Sequence, residues 1–309
     1  MAKRQMRKLT VSVVIPNYNY GRFLAEAIES VLQQDYACKE IIVVDDGSTD
    51  NSLELLTGYE GKVQVIRQIN SGVGAARNTG VKYSTGDIIA FLDADDYWAP
   101  DKIKQQVESF EGDGEVGLVS CGMREFDSER KTIQYFVESI KGKIASQILE
   151  FREKIIVSGS AITVRRDIFE LAGGFDERKE LHPSEDWEFC YRVSRISKMD
   201  FIPRALVHYR NHGNNAHLKI HNMEKAMVLA YQKIYENPPP EILALRRKSY
   251  GNLYSVLAAC YYYAGDRKKF IKNAFKSMWY QPKKIAYFIG FPFRLLRRQV
   301  IRDERNKMH

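Results

Sequence analysis

Over its first hundred residues the chain alternates short apolar runs with stretches whose apolar residues recur at helical spacing. Residues 11–15, 41–44, 63–67 and 88–92 are brief and rich in β-branched side chains, which reads as four strands. Residues 22–34 place Phe23, Leu24, Ala27, Ile28, Val31 and Leu32 on one helical stripe, and 50–59 and 74–83 are further helices. A βαβαβαβ order of this kind predicts an open, doubly wound α/β sheet whose ligands lie outside the carboxyl ends of the strands. Polar clusters stand at those ends. Pro16-Asn17-Tyr18-Asn19 follows the first strand, Asp45-Asp46-Gly47-Ser48 the second, and Asp93-Ala94-Asp95-Asp96 the fourth. Any one of them alone reads as a polar turn; three on one rim read as a site.

Beyond residue 215 the pattern becomes helical only, with candidates at 223–235, 241–264 and 268–279, interrupted by Pro238-Pro239-Pro240 and Gly265-Asp266. Tyr262, Gly265, Phe270, Ala274, Ser277 and Pro282 have the spacing of half a tetratricopeptide unit, for which an ordinary helical hairpin is the simpler account. The expected organisation is a basic tail at 1–9, a catalytic domain at 10–215 and a helical region at 216–309.

Composition narrows the classes. With 309 residues and 44% apolar content the chain can bury one full core and a smaller second one. Cys38, Cys121, Cys190 and Cys260 are scattered without a CxxC pair, which argues against a zinc site or a disulfide framework. The net charge of +8 is concentrated at the ends: residues 1–10 hold four basic residues and no acid, and 283–309 hold eight against two. Nucleic-acid binding, which calls for a basic folded face, is therefore not expected. Basic ends point instead to an anionic membrane surface. Phe293, Leu296 and Val300, with Arg294, Arg298 and Arg302 opposite, read as an amphipathic tail that lies in an interface or packs on the catalytic domain. Neither a signal peptide nor a transmembrane helix is expected, since the apolar stretch at 285–293 is short and broken by Gly290 and Pro292.

Asp93 and Asp95, at i and i+2 beyond a buried strand, can supply hard oxygen ligands to Mg2+ or Mn2+. Such an ion keeps sites for phosphate oxygens, which implies a diphosphate-bearing substrate; Asp96 reads as a cap for the following helix. Gly72-Val73-Gly74-Ala75-Ala76-Arg77 is no dinucleotide fingerprint, because Arg77 replaces the third glycine and the segment follows the third strand. Close backbone approach to a donor at Gly72, with Arg77 or Asn78 near its phosphates, competes with a simple helix-start turn. Ser184-Glu185-Asp186-Trp187 reads either as a catalytic acid pair or as a helix start capped by Ser184, with Arg192 orienting the site or lying on the surface.

Val13-Val14-Ile15-Pro16-Asn17-Tyr18-Asn19, Glu40 to Asp50, Phe91 to Asp96, Gly173-Gly174-Phe175-Asp176 and Glu185-Asp186-Trp187 together resemble a family 2 glycosyltransferase of the GT-A fold, over about residues 10–210. The resemblance implies an inverting, DxD-containing enzyme using a nucleotide-diphosphate sugar, uridine being the first candidate base ahead of thymidine and guanosine. It implies that Tyr18 stacks on the base, that Asp46 hydrogen-bonds it, and that Pro16 shapes their loop. Asp93 is then the first carboxylate of the DxD signature, Ala94 its middle residue against the donor, and Asp95 the direct Mn2+ or Mg2+ ligand. Asp186 is implied as the base that deprotonates the acceptor, with Glu185 its close rival. His212, in the segment closing the family's catalytic domain, completes the metal shell or is a surface histidine. The acceptor implied is a glycan or lipid-linked glycan of the cell envelope, reached by a cytoplasmic enzyme at the inner face of the membrane. Two readings stand beside this one. A sugar-1-phosphate nucleotidyltransferase would carry a Gly-rich basic loop where Pro16-Asn17-Tyr18-Asn19 stands, and a non-catalytic glycan-binding scaffold would not need Asp46, Asp93, Asp95 and Asp186 together.

Overall fold

The computed structural model describes residues 8–151, 155–213 and 219–290. Its elements run β1 (Val11–Asn17), α1 (Gly21–Leu32), β2 (Glu40–Asp45), α2 (Ser52–Thr57), β3 (Gln64–Arg67), α3 (Val73–Lys82), β4 (Ile88–Phe91), β5 (Tyr97–Trp98) and α4 (Lys102–Gly112). They continue with β6 (Val116–Phe126), β7 (Thr132–Phe136), α5 (Ala145–Glu150), β8 (Thr163–Arg165), α6 (Arg166–Leu171), α7 (Glu185–Ile196) and β9 (Lys198–Arg210). Helices α8 (Ile220–Ile234), α9 (Pro240–Leu243), α10 (Arg246–Tyr263), α11 (Arg267–Tyr280) and α12 (Ile285–Ile289) follow.

Among the described residues one mixed sheet has the order β3-β2-β1-β4-β8-β6-β9-β5, with β7 added on β6. The first four strands are parallel, as the alternating pattern requires. Both faces of β1 are buried from Val11 to Asn17, the condition that makes a central parallel strand continuously apolar. β8 then joins β4 antiparallel, and β6 pairs β8 antiparallel and β9 parallel. This second half has no simple period in the sequence, because its long strands are bulged against each other, β6 is buried almost throughout and β9 mixes buried and exposed positions. Helix α1 buries Leu24, Ala27, Ile28 and Val31 but leaves Leu32 exposed, a narrower stripe than the spacing suggests. Helix α3 lies close on β1: a Cβ at Gly80 would overlap the side chain of Val14.

The chain divides into two compact units. The first runs to residue 148 and from 152 to 232, so it includes the sheet and most of α8. Within it Trp187 of α7 stacks on Tyr231 at 5.5 Å. The second takes 149–151 and 233 onward. There the expected helix at 241–264 is two helices: the Leu245 N–H bonds back only three residues, to the Ile242 carbonyl, and ends α9 before α10 begins. α10 and α11 form an antiparallel hairpin, with Tyr250 near the start of one stacked on Tyr280 at the end of the other at 5.1 Å. Gly265, at φ +77°, closes α10, and the Asp266 carboxylate caps α11 by accepting from the Lys269 N–H at 2.9 Å. No helix among the described residues is long and apolar enough to cross a membrane. The predicted amphipathic tail at 293–302 lies outside the described residues.

Candidate active site

The carboxyl ends of β1, β2 and β4 open onto one cleft of about 970 Å³ in the first unit. β1 delivers Pro16 and Asn17, and the Asn17 amide donates to Asp45 at 3.2 Å and to the Ser48 hydroxyl at 3.1 Å. Asn19, held at φ 59°, accepts from the backbone N–H groups of Thr49 and Asp50, which ties the first loop to the second. Tyr18, between them, leaves its ring free at the rim, 46% exposed.

Asp46 is buried, and its carboxylate accepts from Gln68 Nε2 at 2.7 Å and from the Ser71 and Gly72 N–H groups at 2.8 Å. Its visible work is to fix the turn that starts α3, where Gly72 sits at φ +94° as the residue before the helix. Arg77, in the second turn of α3, is fully buried. Its Nη2 donates to Asp93 at 2.7 Å and its Nη1 to Glu185 at 3.0 Å. One guanidinium thus bridges the acidic loop after β4 to the acids opening α7. With both carboxylates against it, and despite burial, which opposes its charge, Arg77 is held firmly protonated.

The acidic loop is shaped from a distance. Ser160, in the turn Gly159–Ala161, accepts from the Asp93 N–H at 3.1 Å and donates to Asp96 at 2.6 Å. Asp96 also accepts from the Arg210 N–H at 3.0 Å. It does not cap a helix: α4 begins at Lys102 after Asp101, and the chain between forms β5. Asp96 is instead a buried keystone of the loop, its carboxyl pushed well above the ordinary range by burial and then by Asp95 and Asp93. Asp95 keeps a partly open carboxylate 3.0 Å from His212 Nε2, and the imidazole packs against the rings of Tyr20 and Phe23, which also stack on each other.

Across the cleft, Glu185 and Asp186 open α7. Ser184 stands at the N-cap position but makes no capping hydrogen bond with its side chain. Burial would raise Glu185, but the hydrogen bond with His182 at 3.3 Å and the Arg77 charge outweigh it and hold the carboxyl below its usual range. Asp186, half-buried beside it, accepts from the Gly159 N–H at 3.2 Å and from the Trp187 N–H at 2.7 Å. Burial first and the Glu185 charge second push its carboxyl up to about 7. Arg192 takes no part: it makes a two-point pair with Glu188 at 2.8 Å and bonds the Ala172 carbonyl.

Pro16, Tyr18, Asp46, Gly72, Arg77, Asp93, Ala94, Asp95, Glu185 and Asp186 all line this cleft, while His212 stands behind Asp95. The sequence did not point to Ser160, which lies more than sixty residues from the acidic loop it holds, to Gly159, whose N–H holds Asp186, nor to Lys179 and His182 on the rim. Lys179 had no periodic signal, and it donates at 2.8 Å to both oxygens of Asn70.

Among the described residues no group of three or more His, Cys, Asp and Glu side chains could hold a metal ion unaided. The Asp95–His212 pair nevertheless has the separation of adjacent ligands on an octahedral ion, which at about 2.1 Å per bond stand about 3.0 Å apart. The donor set therefore fits an ion completed by substrate oxygens and water.

The sequence model of glycosyl transferase family 2 matches residues 12–172. An uncharacterized glycosyltransferase of Nostoc sp. is 35% identical over 222 residues, covering 68% of this chain and 67% of its own. One from Rickettsia typhi is 31% identical over 65% of this chain and 64% of its own, and the chondroitin synthase of Escherichia coli is 28% identical over 70% and 31%. The chain thus spans about a third to two thirds of the length of these relatives. Among solved structures, S. aureus TarS 1-349 in complex with UDP-GlcNAc matches with a TM-score of 0.61 at 17% identity, over 86% of this chain and 90% of that one. The mannosyltransferase PcManGT from Pyrobaculum calidifontis, in complex with GDP-Man and Mn2+, matches with a TM-score of 0.59 at 19% identity, over 94% and 88%. At these identities the likeness is one of fold.

Proposed function

The chain belongs to glycosyl transferase family 2, and on that premise we propose that it moves one sugar from a nucleotide-diphosphate donor to a glycan or lipid-linked acceptor, inverting the anomeric carbon. The observation that carries this is the meeting of two acid pairs, Asp93 with Asp95 and Glu185 with Asp186, across one cleft with Arg77 strung between them. A single inverting displacement needs one base on the acceptor side and charge neutralisation on the leaving-group side, and the two pairs can divide those tasks.

Asp186 is the base. Near neutral pH its carboxyl is ionised in part and basic enough to take a hydroxyl proton, the condition general-base catalysis favours. Glu185 is too acidic for that role and too fully engaged by Arg77 and His182; it stays charged and fixes the guanidinium. Asp95, with His212 beside it and Asp93 at the loop's start, would hold a divalent Mn2+ or Mg2+, which when bound supplies Lewis-acid neutralisation of the diphosphate. Tyr18, exposed at the rim, offers its ring for a nucleobase, and the Asp46-fixed turn at Gly72 offers close backbone approach beside it. A uridine donor is our first choice; the UDP-GlcNAc and GDP-Man complexes of the structural neighbours support the donor class. The basic residues of 283–309 extend the proposal to an enzyme at the inner face of the cell membrane, where lipid-linked acceptors of surface polysaccharide synthesis would lie.

The test is release of nucleoside diphosphate from a panel of nucleotide sugars with Mn2+ and an acceptor extract. Asp95→Ala should lose metal-dependent donor binding. Asp186→Asn should keep that binding and lose transfer by about 10²–10⁴-fold, the usual worth of a positioned base. Normal turnover by Asp186→Asn would remove it from the role, and release of pyrophosphate would point to nucleotidyl transfer instead.

A further inference from the structure

Helix α11 turns the wrong kind of surface to solvent. Asn273, Ala274 and Ser277 face inward and are buried against the hairpin. On the opposite side Ile271, Phe275 and Trp279 follow one another at i, i+4 and i+8, with Phe275 66% and Trp279 82% exposed. At 100° per residue these three, with Lys268 and Lys272, fill a single arc of about 100°, so the lysines interleave with the apolar stripe. The outward face of an ordinary surface helix is polar; this one is isoleucine, phenylalanine and tryptophan set among cations. The short helix α12 leaves Ile285 and Ile289 exposed as well.

Charge identifies the occupant. Between residues 266 and 290 the chain carries seven lysines and arginines against one acid, Asp266, and that acid is committed to capping α11. A protein partner would have to present an apolar groove ringed by acids, which nothing in the chain specifies. A bilayer with anionic headgroups offers both halves at once: an acyl boundary for Ile271, Phe275 and Trp279, and negative charge for Lys268 and Lys272, whose stems can lie along the apolar stripe while their ammonium groups reach the headgroups. We infer that the outward face of α11 is a membrane-binding surface for anionic lipid, lying in the interface plane without crossing. It is separate from the amphipathic tail expected at 293–302, and it does not depend on the reading of the active site.

The full chain should float with vesicles containing phosphatidylglycerol and not with phosphatidylcholine vesicles, and salt should weaken the binding. Tryptophan emission should shift to the blue on binding, and Trp279→Phe should abolish that shift, because Trp98 is buried and Trp187, in the first unit, is stacked on Tyr191 and Tyr231. Phe275→Ser/Trp279→Ser should weaken binding at least tenfold, roughly the loss expected from withdrawing two large apolar side chains from the interface. Lys268→Gln and Lys272→Gln should each weaken it by about fivefold. These residues lie outside the sugar-transfer machinery, so nucleoside diphosphate release in the absence of vesicles should be unchanged and reports that the variants fold. Three results would overturn the inference: no binding to either vesicle, binding that survives Phe275→Ser/Trp279→Ser but is lost when the chain stops at 290, or self-association that the same substitutions disperse.

Discussion

Glu185 and Asp186 are neighbours in the chain with the same chemistry, and their surroundings drive them apart. Glu185 meets Arg77 and His182 and is held acidic; Asp186 meets burial and the Glu185 charge and rises to about 7. The consequence can be checked by pH. An unfolded aspartate titrates near about 3.9, so the folded state holds the Asp186 proton more tightly. Its contribution to stability should be complete below about pH 4 and should fall as pH rises through about 7. Transfer should move the opposite way, rising through about 7 as the base ionises. Denaturant midpoints and kcat/KM measured across that range should show opposed slopes in the wild type. In Asp186→Asn the stability slope should flatten, and a slope left unchanged would assign the titration to another group. The sequence offered the acid pair but not this division of roles, because the division is set by burial, by His182 and by Arg77, the last more than a hundred positions earlier.

At the level of elements, the site depends on how closely α3 rests on β1. α3 carries Arg77, β1 ends at Asn17 with Tyr18 just beyond it, and Gly80 is the point of contact with Val14. Gly80→Ala would favour the helix by about 1 kcal/mol through propensity, yet it would force a methyl group into a filled space at a cost of about 1–3 kcal/mol. We expect net destabilisation by chemical denaturation, with a larger loss of transfer than of stability, because displacing α3 moves the guanidinium from Asp93. A gain in stability would show that the interface has room to relax. Strands β1, β2 and β4 of the parallel half were legible from their apolar runs, since strands buried on both faces leave an unbroken signature. The mixed half was not: β6 is buried almost throughout, β9 mixes buried and exposed positions, and the two are bulged against each other, so no period of two survives.

For the molecule as a whole, ligation should be visible as stability. A ligand that binds only the folded chain adds about 2.7 kcal/mol at a hundred times its Kd. Mn2+ with a nucleoside diphosphate should therefore raise the unfolding temperature of the wild type, and Asp95→Ala should lose the part of the rise that needs the ion. An equal rise in that variant would place the ion elsewhere. What the sequence determined by itself was the order of strands and helices in the first half, the polar clusters at their carboxyl ends and the acids that line the cleft, because each is written in neighbouring residues. Tertiary structure alone decided that Asp96 is a buried support rather than a helix cap and that Ser160 holds the acidic loop. It also decided that Arg77 joins the two acid pairs and that α11 turns its apolar stripe outward. Each of those depends on charge and contact between residues far apart in the chain, and local periodicity carries no record of which distant groups will meet.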